Sequence, residues 1–176
     1  MSTGRSSTGK STRRGGPVRV SRAYAARYSA TSARATECVL NAVRLGDLCM
    51  AAVGAVWRDH DISASAGNVL MILVGADEPL SPHVVSERML VTRGAVTGLL
   101  DALEKRGYAR RSPHPHDRRM LLAEATPAGR QLARDVQPRI ANLEVEWLEC
   151  LSAEEQETFV GLSGKLQASL KAFLDT

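Results

Sequence analysis

Residues 80–126 read LSPHVVSERMLVTRGAVTGLLDALEKRGYARRSPHPHDRRMLLAEAT, and their punctuation decides the fold. Ser81-Pro82 is a helix cap followed by proline at the first helical position, where the missing N–H costs nothing. A short helix is predicted through Val84, Val85 and Met89. After a turn at Leu90-Val91, Thr92 caps a longer helix with Val96, Leu99, Leu100 and Leu103 facing inward. Gly107 stops it, as the left-handed position after a helix prefers. Tyr108–Arg111 reads as a strand, and the two prolines of Ser112–Asp117 make a turn that no helix accommodates. Met120–Ala125 then returns as the second strand of a hairpin with a polar tip.

The flanking sequence is helical. Glu37–Trp57 predicts a largely apolar helix with Val39, Val43, Met50, Val53 and Trp57 at spacings of three, four and seven. Ser63 caps another, with Ala66, Val69, Leu70 and Leu73 inside. Thr126-Pro127 opens a long helix carrying Leu132, Val136, Ile140, Leu143 and Trp147, with Pro138 inside it and expected to bend it. Ser152–Glu155 is a capping box, and Phe159, Leu162, Leu166, Leu170 and Phe173 follow at coiled-coil-like spacing. The first helix and the last two carry more apolar surface than one small unit needs, which predicts pairing with a second copy of the chain. Before Val18 the sequence is Ser, Thr, Gly and Arg with almost no large apolar group, and residues 1–35 are expected to be a disordered basic extension.

The chain of 176 residues has a net charge of +4, and that sum conceals a partition. Residues 1–35 carry eight Lys/Arg and no acid, and residues 88–119 carry eight Lys/Arg against three acids. The segments 36–87 and 120–176 are net negative. A positive block between negative ones fits a surface for a polyanion. No run of eighteen uncharged apolar residues occurs, so no membrane span is expected. Three cysteines do not frame a secreted disulfide domain, no apolar run follows the basic N-terminus as in a secretory signal, and a cytoplasmic protein is expected.

A helix pair across a tight turn followed by a basic hairpin is a winged helix-turn-helix, an architecture suited to nucleic acid. Its second helix fits the major groove, and the hairpin tip can lay arginine into the neighbouring minor groove, where the potential is more negative. At these residues Leu80-Ser81-Pro82, Leu90–Thr97 and Leu103–Tyr108 resemble the helix-turn-helix of the multiple antibiotic resistance regulator (MarR) family. Asp117-Arg118-Arg119, followed by Leu121, Leu122, Thr126 and Gly129, resembles that family's wing.

The resemblance implies a mainly α fold with a small β-hairpin wing. A winged helix-turn-helix over 62–126 would be flanked by dimerisation helices over 36–60 and 127–176. It implies a homodimeric transcription regulator on a palindromic operator in double-stranded DNA, acting as a repressor released by a small lipophilic or phenolic effector. Carried over by position, Thr92, Arg93, Gly94, Ala95 and Thr97 would meet bases and phosphates. Arg119 would be the minor-groove arginine, Asp117 would brace the wing, and Arg118 and Arg111 would hold phosphates. Gly98 departs from the family, standing where many relatives have Arg or Lys. Met50, Trp57 and Met71 are candidates for an apolar effector pocket.

Other signals compete with this reading. Gly4–Ser11 matches the phosphate-loop pattern letter for letter, but only three residues precede it, too few for the strand such a loop needs. A basic arm that adds nonspecific DNA affinity is the better reading. Cys38 and Cys49 lie about 16 Å apart along one helix, too far for a disulfide within it. A thiol-switch regulator using Cys38 is the alternative function. His114-Pro115-His116-Asp117 and Asp59-His60-Asp61 suggest metal but read better as solvated turns lacking a full ligand set. No cofactor is expected, and no nucleophile–base–orienter trio supports an enzyme.

Overall fold

The computed structural model describes residues 16–89, 91–117 and 120–174. In chain order it contains α1 (Arg22–Arg27), α2 (Ala30–Arg58), α3 (Ala64–Val74), α4 (Pro82–Met89), α5 (Arg93–Lys105), β1 (Ala109–Pro113), β2 (Leu121–Ala125), α6 (Pro127–Leu148) and α7 (Ala153–Leu174). Two compact units result, one ending at Ala52 and the other beginning at Val53.

Within the first unit, helix begins earlier than the sequence predicts. Ser21 caps α1 by accepting from the Tyr24 N–H, and α2 starts at Ala30 rather than Glu37. The expectation of disorder up to residue 35 therefore does not hold from Gly16 onward. Polar side chains of α2 contribute to this order. Asn41 accepts from the Val18 N–H at 2.8 Å and donates to the Val18 carbonyl at 2.9 Å. Glu37 accepts from the Val20 N–H at 3.0 Å and pairs with Arg19 at 2.8 Å. Two α2 side chains thus hold residues 18–20, which form neither helix nor strand.

By length and composition α2 could cross a membrane, with a mean hydropathy of 1.5 over its most apolar window. Arg44 and Asp47 are the charges that such a window averages over and that interrupt any uncharged run.

In the second unit the caps act as read from the sequence. Ser63, Thr92 and Thr126 each accept the N–H three residues on, and Ser152 and Glu155 exchange the two bonds of a capping box. Gly107 takes φ 73°, which lets the Gly107 and Tyr108 amides close the end of α5 on the carbonyls of Glu104 and Leu103. The core gathers Val56, Trp57, Val69, Leu70, Leu73, Val85, Val96, Leu100, Leu103, Leu132, Val136 and Ile140. Helix α6 runs through Pro138 without a break.

The hairpin β1–β2 is antiparallel with Arg111 opposite Ala123 and Arg110 opposite Glu124. A third piece of sheet comes from Leu80, whose N–H and carbonyl both bond Ala123, at 2.9 and 2.7 Å. One residue carries no strand pattern, so the sequence does not predict it. It ties the base of the hairpin to the entrance of α4.

Candidate nucleic-acid interface

Helix α5 is two-sided. Val96 and Leu100 are fully buried, while Thr92, Arg93, Gly94, Ala95, Thr97 and Gly98 are exposed. A methyl group added at Gly94 or Gly98 would meet nothing within 4 Å, so this face is open. The five sequence-predicted residues of the helix start are therefore all exposed in the first turns of α5. The Thr97 hydroxyl donates to the Arg93 carbonyl at 3.1 Å, and an Arg93 Nη lies 3.3 Å from His83 Nδ1 on α4.

The hairpin lies beside this helix. Its tip is organised by His114, whose Nδ1 accepts from the backbone N–H groups of His116 (3.1 Å) and Asp117 (3.2 Å). The ladder continues beyond β1 as the His114 N–H donates to the Met120 carbonyl, and the Met120 N–H closes the turn on Asp117. The sequence reads this segment as a solvated turn and gives no sign that the His114 ring organises it. Asp117 is half-buried at the tip. Arg118 and Arg119, with the Gly4–Ser11 loop, lie outside the described residues.

Arg111 is engaged within the protein. Its guanidinium turns onto Glu104 and Asp101 of α5, with Nε 2.7 Å from Glu104, while its backbone N–H bonds the same carboxylate at 2.7 Å. The hydrogen bonds to Glu104 and then Asp101 raise its pKa, against the opposing effect of burial. A guanidinium held by two carboxylates links α5 to the wing. Sequence patterning registers Arg111 as a positive charge but cannot show that Asp101 and Glu104 face it.

Other cations of the positive block are also paired. Arg110 meets Glu124 across the hairpin at 2.9 Å, and Arg106 meets Asp61 at 3.3 Å. Asp59 pairs with Arg139 at 2.8 Å, and the Arg139 hydrogen bond holds its carboxyl below the usual range. The Asp59-His60-Asp61 turn is thus tied by arginines, and Asp61 adopts φ 55° within it.

The pocket candidates separate. Trp57 is fully buried with its indole against Gly67, where an added Cβ would fall 2.2 Å from Trp57 Cε2. Met71 is half-buried beside the core, and Met50 is exposed on α2. Cys38 and Cys150 are exposed and Cys49 is half-buried, all three as free thiols.

An open helix face behind a second helix, with a hairpin beside it, defines a winged-helix DNA-binding regulator. The MarR-family model matches residues 60–120, the segment from the turn before α3 to the wing. The HTH-type transcriptional repressor YetL of Bacillus subtilis is 32% identical over 120 residues, covering 68% of this chain and 72% of that one. The Streptomyces coelicolor regulator PcaV, solved in complex with its natural ligand, superposes with a TM-score of 0.61 at 27% identity, over 73% of this chain and 90% of that one. The S. aureus MepR–DNA complex superposes at 0.67 and 20% identity, covering 72% and 93%. The chain belongs to the MarR family of helix-turn-helix transcription regulators.

Proposed function

We propose that this chain is a cytoplasmic homodimeric repressor that binds a palindromic operator and is released by a small lipophilic or phenolic effector. The observation that carries the reading is the open, capped start of α5 beside a wing that Arg111 links to it. Two copies would place their α5 helices in successive major grooves, about 34 Å apart. Thr92, Arg93, Gly94, Ala95 and Thr97 would contact bases and phosphates, Arg118 phosphate, and Arg119 the minor groove, with Asp117 bracing the tip. Arg111 keeps a place in this scheme as a brace rather than a phosphate ligand. We divide the chain into an extension over 1–35 that reaches into the start of α2, a winged helix-turn-helix over 62–126, and dimerisation helices over 36–60 and 127–176.

Repression is supported by the name of YetL, and effector control by the ligand bound to PcaV. Of the three apolar pocket candidates, Met71 fits best, since Trp57 belongs to the core and Met50 is exposed. An effector would act by binding two conformations of the dimer with different affinity.

The test is a gel-shift titration at two salt concentrations against the DNA beside the chain's own gene. A complex that survives excess random competitor is expected. Arg119→Ala should weaken it by roughly 1–3 kcal/mol, and unchanged affinity would remove the wing assignment. The exposure of Cys38 supports a second reading, a thiol switch. In that case mild peroxide would add mass and abolish DNA binding, and Cys38→Ser would prevent both.

A further inference from the structure

One imidazole bridges the two helices of the helix-turn-helix. His83, the second residue of α4, has Nδ1 3.3 Å from an Nη of Arg93 and Nε2 3.6 Å from Glu87 Oε1, one turn further along α4. A guanidinium only donates, so Nδ1 accepts and the ring proton lies on Nε2, facing the Glu87 carboxylate. Glu87 therefore favours the tautomer that leaves Nδ1 free for Arg93.

Both ends of the bridge stand on fixed backbone. The Ser86 hydroxyl donates to the His83 carbonyl at 2.7 Å, in a helix whose first turn is capped by Ser81. Arg93 follows the Thr92 cap, and its carbonyl accepts from Thr97. Arg106, Arg110 and Arg111 are each paired with carboxylates, whereas Arg93 has no carboxylate partner among the described residues. A carboxylate would compete with DNA for the guanidinium. An accepting ring nitrogen orients it without pairing it to a carboxylate.

We propose that His83 is a positioning residue for Arg93. It pre-sets the guanidinium at the open start of α5, so that DNA binding orders one long side chain less and the orientation favours one base or phosphate geometry over others. His83 thereby contributes to sequence discrimination without touching DNA itself. The inference rests on Arg93 being a DNA contact, as proposed above.

A double-mutant cycle on the full chain tests it, using the duplex from the chain's own control region and single-base variants of that duplex. His83→Ala should weaken binding about three- to tenfold, the scale of one net hydrogen bond, and flatten discrimination between the variants. His83→Asn should restore most of the loss, because the asparagine Oδ1 stands close to the place of Nδ1. In an Arg93→Ala background, His83→Ala should have no further effect. A loss of the same size in that background, or no rescue by asparagine, overturns the proposal. So does a weakening by Arg93→Ala that His83→Ala does not share. If Arg93→Ala itself leaves binding unchanged, the assignment of Arg93 to DNA fails and the role of His83 fails with it. Melting curves for each variant separate these outcomes from unfolding.

Discussion

A guanidinium engaged by a carboxylate is a strut, and one left without a carboxylate is available to a polyanion. Within α5 and the wing the chain uses both forms. Arg111 is four-fifths buried and held by Glu104 and Asp101. Removing its side chain leaves the half-buried Glu104 with only the Arg111 backbone N–H as a partner, while the more exposed Asp101 contributes little. We expect Arg111→Ala to lower stability by about 1–2 kcal/mol, to weaken operator binding through a loosened wing, and to leave the salt dependence of binding unchanged. A shallower salt slope would instead return Arg111 to the phosphate. Gly129 makes the complementary point about space. An added Cβ there would lie 2.0 Å from the Tyr108 carbonyl oxygen, where α6 begins against the base of the hairpin. Gly129→Ala should therefore cost about 1–3 kcal/mol or more, seen as a fall in melting temperature. Wild-type melting would show that the α6 start can move aside. The sequence marked Thr126 and Gly129 through resemblance, and the structure supplies the reason. Thr126 bonds the Gly107 carbonyl at 2.6 Å and caps α6, so that Gly129 is brought against Tyr108.

At the scale of elements, what the sequence showed and what it concealed divide along a physical line. Caps, prolines and apolar periodicity are local, and they set α3 to α7 and the hairpin close to their observed bounds. Long-range polar contacts leave no periodic trace. The Leu80–Ala123 bridge, the His114 turn and the ordering of residues 18–20 on α2 are of that kind. The last of these has a pH signature. The hydrogen bond from Arg19, reinforced by the Val20 N–H, holds the Glu37 carboxyl below its ordinary value despite some desolvation. A carboxylate depressed in the folded state stabilises it above the unfolded pKa, and the contribution is lost as pH falls through the folded value. The arm should therefore stay docked at neutral pH and detach in acid below the ordinary glutamate range. Amide exchange at Val18 and Val20 should rise there, and Glu37→Gln should raise it already at neutral pH. Protection that is independent of both pH and the substitution would assign the docking to Asn41 alone.

For the whole molecule, the question is what covers the apolar surface that each unit leaves open. Val39, Val43 and Leu48 are exposed on α2, and Phe159, Leu162, Leu166, Leu170 and Phe173 on α7. None of the residues of α7 is buried. A helix gains most of its stability from packing an apolar face, so 22 residues with no buried side chain are poorly accounted for in a single chain. The spacing of the α7 stripe is that of a helix seam, which suits a like helix better than a small ligand. The second copy proposed above would cover this stripe and also double the α5 helices for a palindromic operator. The double substitution Leu162→Lys/Leu166→Lys should convert a dimer to a monomer at micromolar concentration, measured by sedimentation equilibrium. Operator affinity should fall to that of random DNA, because one α5 helix reads only a half-site. Arg119→Ala, by contrast, should weaken binding while the protein stays dimeric. A wild-type chain that sediments as a monomer, or a lysine variant that remains dimeric, would mean that α7 is covered by something other than its own copy.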